Sequence, residues 1–492
     1  MPETQIKHHN WLEEFTFENC RLNRNDYGQF IADYITEENE GFVLNLNGAW
    51  GSGKTQFLKR LYTLLNNQSH PTIYIDAWES DFTKEPLTVV SSELLSQLEK
   101  YSAVTGSDFD VVKSLLGKFI KGTAIAASGY VSKKLLDDSA TGIEAIKTLF
   151  EKTDADYISS IQKGYTEQID AIKEIRTKLS LLAEVLKQNH SQELPIVVLV
   201  DELDRCRPDY AIEMLEVIKH FFDTKHFVFV VATDTDQLCC SIKAIYGDDF
   251  DSEKYLKRFF HRKAQLPTPD LRHYLAAGDL QEQINNLQGS LTLIPKLNGI
   301  SVDVPFYLEA VADAYGLDIR SVDQLSSKLL ACLRTANNAA RPQIVNVITL
   351  LIALVEFDLS CPSYAKRSQN NTSLSEVTFS SPSHPFILYR NDGQAPINAL
   401  LDLNLESSLL VLKTINDPWG EREVMRPMHT DDIMRYTRVN EEQRAVLDRV
   451  GGEIQTLLRN HLYDPSSNTD SSPQFWLWDD YKRVVELAGN IE

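Results

Sequence analysis

Residues 41–65 read GFVLNLNGAWGSGKTQFLKRLYTLL, and three patterns follow one another within them. Phe42, Val43, Leu44 and Leu46 form the short apolar run of a buried strand. Phe57, Leu58, Leu61, Leu64 and Leu65 recur at helical spacing, so an amphipathic helix follows. Between them, Gly48 to Thr55 spells G-x-x-x-x-G-K-[ST], the phosphate-loop pattern in its required strand–loop–helix setting. Gly51 and Gly53 let the backbone fold back so that successive N–H groups point at anionic oxygens. The helix N-terminus beneath them favours anions as well. Lys54 adds a point charge for the β- and γ-phosphates, and the Thr55 hydroxyl can ligate Mg²⁺. Gly48, Trp50, Gly51, Ser52, Gly53, Lys54, Thr55 and Gln56 are therefore the candidate nucleotide-binding set. A chance glycine-rich turn would match the pattern too, but would not need a strand before it and a helix after it.

The chain has 492 residues, enough for two or three domains. Its 43% hydrophobic and 24% charged content is that of a soluble globular protein. No basic start followed by an apolar segment marks a secretory signal. The longest apolar stretch, Ile344 to Val355, is interrupted by Asn346 and Thr349 and reads as a core helix, so no membrane span is expected. Six cysteines without a C-x-x-C pair or metal-ligand spacing point to reduced thiols and a cytoplasmic location. A net charge of −21 argues against a surface that generally attracts nucleic acid.

Strand and helix signals alternate around the opening stretch. Trp11, Phe15 and Phe17 suggest a strand or packed turn, and Tyr27, Phe30, Ile31, Tyr34 and Ile35 a covering helix. Residues near Arg24 and Tyr27 are candidates for an adenine pocket. Pro71 to Trp78 reads as a second strand and Pro86 to Lys100 as a helix. From about 101 to 193 helical periodicity dominates, which reads as an insertion between strands. Lys118 to Val131 is its most apolar part and is too short to cross a bilayer.

Leu194 to Glu202 then restores the sheet, with consecutive apolar residues leading into Asp201 and Glu202. Acidic residues at the carboxyl end of such a strand lie where open α/β sheets bind ligands. Asp201 is the candidate Mg²⁺ ligand with Thr55, and Glu202 the candidate catalytic base for the attacking water. Asp204 competes with Glu202 for that role or fixes Arg205 by a salt bridge. His226 to Thr233 is the next buried strand, and Thr233 and Asp234 at its end are candidate γ-phosphate sensors or caps of the following helix. Tyr255, Leu256, Phe259 and Phe260 read as part of a further helix beside a basic patch. There Arg258 is a candidate catalytic arginine, with Arg262, and Arg341 farther on, as alternatives. His261 to Leu266 closes the sheet.

The expected division is a nucleotide-binding core over 1–270, with the insertion at 101–193, and a helical domain over 271–360. A flexible linker follows over 361–385, then a C-terminal domain over 386–492. Asp303 to Ala314, Val322 to Leu333 and a segment from Ile344 read as helices of the second part.

GAWGSGKT, DAWESDFTKEPL and VDELDRCRPDYAIEMLEVIKHFFD, continued by VFVVATDTDQL and YGDDFDSEKYLKRFF, resemble the KAP family of P-loop NTPases. The resemblance covers roughly Arg21 to Pro267, apart from the insertion. It implies an α/β fold of the additional-strand P-loop class, with a parallel sheet, a helical insertion and a mainly helical C-terminal region. In that class the strand bearing Asp201 is separated from the phosphate-loop strand by the sensor strand. The resemblance further implies catalytic roles for Lys54, Glu202, Arg258 and Thr233, and the cofactors ATP and Mg²⁺. Many members carry transmembrane helices inside the NTPase domain, which this insertion lacks, and bacterial members include phage-exclusion proteins.

The leading expectation is thus an ATPase, or less favoured a GTPase, that cleaves a phosphoanhydride to drive a switch within a homo-oligomer or with an effector protein. A nucleotide-gated scaffold is the alternative. A DNA- or RNA-acting motor lacks a recognisable binding signature.

Overall fold

The structure is a computed structural model that describes residues 7–83, 86–99, 173, 175–188, 192–221, 224–267, 270–287, 291–296, 302–369, 385–387, 394–417, 420–427, 441–462 and 472–490. The chain forms two compact units, Met1–Thr268 and Pro269–Glu492.

The first unit is built on five strands: β1 (Phe42–Asn47), β2 (Thr72–Asp76), β3 (Ile196–Asp201), β4 (Phe227–Thr233) and β5 (Arg262–Gln265). Their order is β2-β3-β4-β1-β5, and every pairing is parallel. β4 separates β1 from β3, as expected for the additional-strand class. Register places Asn47 beside Thr233 and Gln265, and Asp76 beside Asp201, so the carboxyl ends of the strands share one edge.

Alternation along the strands feeds two cores. Val198, Val200, Phe229 and Val231 pack with Val90, Leu94, Leu179, Leu182, Leu215 and Ile242 on one face. Val197, Leu199, Val228 and Val230 pack with Ile31, Ile35, Phe57, Leu58 and Leu61 on the other. Helices cover both faces, which is why these strands read as continuous apolar runs.

Two local expectations resolve. Of the strand or packed turn expected around Trp11, the structure has a single packed helical turn, Trp11–Glu14, and the Trp11 ring stacks on His8 at 3.9 Å and meets Tyr74 edge-on at 4.8 Å. The helix expected to run through Phe260 stops at Leu256, and Phe259 reaches the core from the turn beyond it. Of the insertion, 175–188 is helical, with Ile175, Leu179, Leu182 and Leu186 buried. The reading of Lys118 to Val131 falls outside the described residues.

The second unit contains strands where the sequence suggested helices. β6 (Leu291–Ile294) and β7 (Gln343–Asn346) pair in parallel, and Gln474–Phe475 adds a third strand beside β7. The helix expected from Ile344 therefore starts at Val347. Asn346 ends the strand and caps that helix, its Oδ1 accepting from the N–H groups of Ile348 and Thr349 at 3.1 and 3.3 Å. Leu410–Asp417 and Gly420–Pro427 form an antiparallel pair. One hydrophobic core runs from Leu275 to Ala488 and includes Trp476 and Trp478. Among the described residues no helix is long and apolar enough to cross a membrane.

The segment read as a linker from Cys361 begins as a helix, Pro362–Gln369, and residues 370–384 lie outside the described residues. Arg367 of that helix is fully buried and donates to both carboxylate oxygens of Glu356, at 2.6 and 2.8 Å. The Tyr315 and Ser363 hydroxyls donate to the same carboxylate at 3.0 and 2.9 Å. Removing one member of a buried ion pair strands the other charge. Arg367→Ala should lower the stability of this unit by about 3 kcal/mol, measured as an earlier denaturant midpoint for the full chain.

Candidate functional site

The phosphate loop leaves β1 at the shared carboxyl edge, and Gly48 N–H donates to Thr233 O at 3.1 Å, tying the loop's start to β4. Gly51 and Gly53 have φ of +76° and +83°, so both positions need the left-handed freedom of glycine. A side chain at Gly53 would also press on Leu22 Cδ1 at 3.2 Å and Arg24 Nη1 at 3.4 Å. Arg24 lies almost wholly buried and braces the loop. Nη1 donates to Ser52 O at 2.8 Å and Nη2 to Pro267 O at 2.7 Å. Tyr27, the other residue weighed for an adenine pocket, donates its hydroxyl to Gln265 O at 2.8 Å. Both therefore hold backbone beside the loop.

Lys54 opens the helix Lys54–Asn67 and is buried, with Nζ 2.8 Å from Gly48 O and 3.6 Å from Asp204 Oδ2. Thr55 Oγ1 donates to Glu202 Oε1 at 2.9 Å, which joins the loop to the end of β3. Asp201 accepts from the Tyr74 hydroxyl at 2.8 Å and from the Glu202 N–H at 2.9 Å. Burial pushes the Asp201 carboxyl up to about 6, against the Tyr74 hydrogen bond that favours the carboxylate. Glu202 has φ +59°, and its Oε2 is ion-paired with Arg205. Arg205 thus pairs with Glu202 rather than with Asp204, which instead accepts the Trp50 indole N–H at 2.6 Å. Asp234 caps the helix Thr235–Tyr246 and also accepts the Trp50 backbone N–H at 3.1 Å. Thr233 is buried and donates to Asn45 Oδ1 at 3.1 Å.

The phosphate loop with Lys54 and Thr55, together with Asp201, Glu202, Asp204, Thr233 and Asp234, is therefore gathered at one strand edge, while Gln56 and the three candidate arginines have other partners or lie elsewhere. Gln56 turns to Arg60, accepting at 2.9 Å from Nη1. Arg258 is exposed and precedes His261, which bonds to Val43 near the start of β1. His261 thus lies beside the residue that begins β1, at the strand end opposite the phosphate loop. Arg262 donates to its neighbour's carbonyl, His261 O, at 2.9 Å. Arg341, in the second unit, donates to Gln474 Oε1 at 3.0 Å.

Tyr74 and Asn45 join the site unannounced by any motif. Asn45 carried a usable signal, since a polar residue inside a buried strand demands partners; Tyr74 carried none until β2 was paired with β3.

Residues 24–334 match the family described as KAP family P-loop domain. This chain belongs to the KAP family. It is also similar to the phage T7 exclusion protein of Escherichia coli (strain K12), at 24% identity over 300 residues. That similarity takes in 58% of this chain and 38% of the relative, so the chain spans well under half of that protein's length. Its KAP domain carries the α/β P-loop NTPase fold described above.

The residues present fit a nucleotide with a divalent cation. Ser52 Oγ and Asp204 Oδ1 are buried beside the loop without hydrogen-bond partners among the described residues. The Thr55 hydroxyl and Asp201 carboxylate are oxygen donors of the kind Mg²⁺ takes. Because burial raises the folded carboxyl of Asp201 above the ordinary carboxylate range to about 6, its stability contribution is complete below about pH 4 and is lost as pH rises through about 6. Asp201→Asn should therefore gain thermal stability relative to the ligand-free wild type between pH 4 and pH 7.5. The gain should be no more than roughly 3 kcal/mol, read from melting curves at both pH values.

Proposed function

We propose that this KAP-family chain is an Mg²⁺-dependent ATP-binding and ATP-hydrolysing switch. The observation that carries the reading is the meeting of Thr55, from the phosphate loop, with Glu202, which follows Asp201 at the end of β3, while the loop's Lys54 faces Asp204 just beyond. The loop amides and Lys54 would bind the phosphates, while Thr55 and Asp201, the latter through water, would hold the cation. The cation would supply charge neutralisation on the phosphate oxygens. Glu202 would accept a proton from the attacking water, and Thr233 would sense the terminal phosphate from β4. Adenine is favoured over guanine by the absence of an N-K-x-D sequence.

Arg258, exposed on the surface of its own unit, suits an arginine supplied to a neighbouring copy in a homo-oligomer. The similarity to a phage T7 exclusion protein extends the proposal to a role in antiphage defence, with an effector protein as a further partner.

A second reading, a nucleotide-gated scaffold with little turnover, draws on the ties of Glu202. One oxygen accepts from Thr55 and the other is paired with Arg205, so the base must be freed before it can act.

Phosphate release measured for the wild type, Lys54→Ala and Glu202→Gln tests these readings. Lys54→Ala should lose ATP binding, and Glu202→Gln should bind ATP but turn it over at least about 100-fold more slowly. Equal turnover by all three would end the hydrolytic assignment, and ATP-dependent thermal stabilisation without turnover would select the scaffold. Specific activity that rises with protein concentration is expected if Arg258 acts between copies.

A further inference from the structure

Lys54 has an anionic partner before any phosphate arrives. Its ammonium lies 2.8 Å from Gly48 O and 3.4 Å from Ala49 O, with Asp204 Oδ2 3.6 Å away. The Asp204 side chain is 2% exposed. Oδ2 also accepts the Trp50 indole N–H at 2.6 Å, while Oδ1 has no hydrogen-bond partner among the described residues. A buried carboxylate with an unmet oxygen is costly, and it is retained here against the loop lysine. Trp50 belongs to the loop whose amides face a ligand's phosphates. Both of its N–H groups nevertheless go to carboxylates, the indole to Asp204 and the backbone to Asp234 at 3.1 Å. Trp50 as a whole is 49% exposed.

We infer that Asp204 is a tethered stand-in for the terminal phosphate of a nucleoside triphosphate, and that the Trp50–Asp204 hydrogen bond is a latch opened by a triphosphate and not by a diphosphate. The inference rests on the nucleotide reading above and deepens it. The lysine of this motif reaches the β- and γ-phosphates, whereas the loop amides cradle the α- and β-phosphates. Asp204 lies just beyond the β3 end that carries Asp201 and Glu202, so it meets Lys54 from the side of the acids that serve the terminal phosphate. A carboxylate and a phosphate competing for one buried ammonium repel each other. The terminal phosphate therefore displaces Asp204 from Lys54, and the indole loses its acceptor. A diphosphate leaves that side of Lys54 to Asp204, and the latch stays shut. Asp204 thereby restrains triphosphate affinity, and Trp50 presents the occupancy of the site on an exposed ring.

The test is equilibrium binding of Mg²⁺ with ADP, and of Mg²⁺ with a non-hydrolysable ATP analogue, to the full chain as wild type, Asp204→Asn and Trp50→Phe. Asparagine can still accept the indole N–H but carries no charge. Asp204→Asn should bind the analogue on the order of tenfold more tightly while changing ADP affinity less than about twofold. Tryptophan emission of the wild type should change with the analogue and not with ADP, and Trp50→Phe should lose that change. An equal shift for both nucleotides overturns the inference. So does lost turnover with unaltered analogue affinity, which would make Asp204 a base. Equal emission changes with ADP and the analogue overturn it too, and this arm needs no folded Asp204 variant. Lack of Lys54-dependent binding of either nucleotide would instead remove the nucleotide reading itself, whereas Lys54-dependent binding with an unmoved affinity ratio removes only the latch.

Discussion

The site exists because β1, β3 and β4 run parallel in one register. Parallel strands end together, so the residue that follows β1 and the acids that finish β3 meet at the same edge, although most of the first unit's sequence lies between them. β4 between the two strands fixes the width of the gap, and its terminal Thr233 holds Gly48 through a backbone hydrogen bond. Within that gap a lysine, a threonine and three carboxylates can face one another without any of their helices packing specially. The geometry is a property of the sheet, and the side chains exploit it.

Much of this was legible in the sequence, because the signals are local. Apolar runs such as IVVLVD belong to strands buried on both faces, and the resemblance of their motifs to the KAP family implied the strand order. The phosphate-loop glycines could be read because their positive φ admits few alternatives. What stayed hidden depends on partners far along the chain. Gln343–Asn346 looks like the start of an apolar helix until Leu291–Ile294 and Gln474–Phe475 lie beside it. Arg367 lies in the stretch read as a linker, and only the fold reveals the Glu356 that neutralises it. Arg205 was expected to pair with Asp204 if Asp204 did not serve as the base, and in the fold it pairs instead with Glu202, whose backbone is left-handed.

The acids after β3 divide their attachments in a way the motif alone does not convey. Asp201 is held by Tyr74 from β2, Glu202 by Thr55 and Arg205, and Asp204 by Trp50 and Lys54. Asp201 is thus tied to β2, whereas Glu202 and Asp204 are both tied to the phosphate loop through the consecutive residues Thr55 and Lys54, so a shift of the loop bears on both acids together.

Arg24 gives the loop a mechanical connection. Its guanidinium is buried and clamps Ser52 O with one arm and Pro267 O with the other, just before the first unit ends at Thr268. If Ser52 shifts, the clamp must carry Pro267 with it or break, and a broken arm leaves a buried donor unmet at a cost of about 1–3 kcal/mol. The path by which the chain leaves the sheet is therefore stiffly geared to the phosphate loop, like a linkage rod set between the hub of the unit and its outgoing shaft.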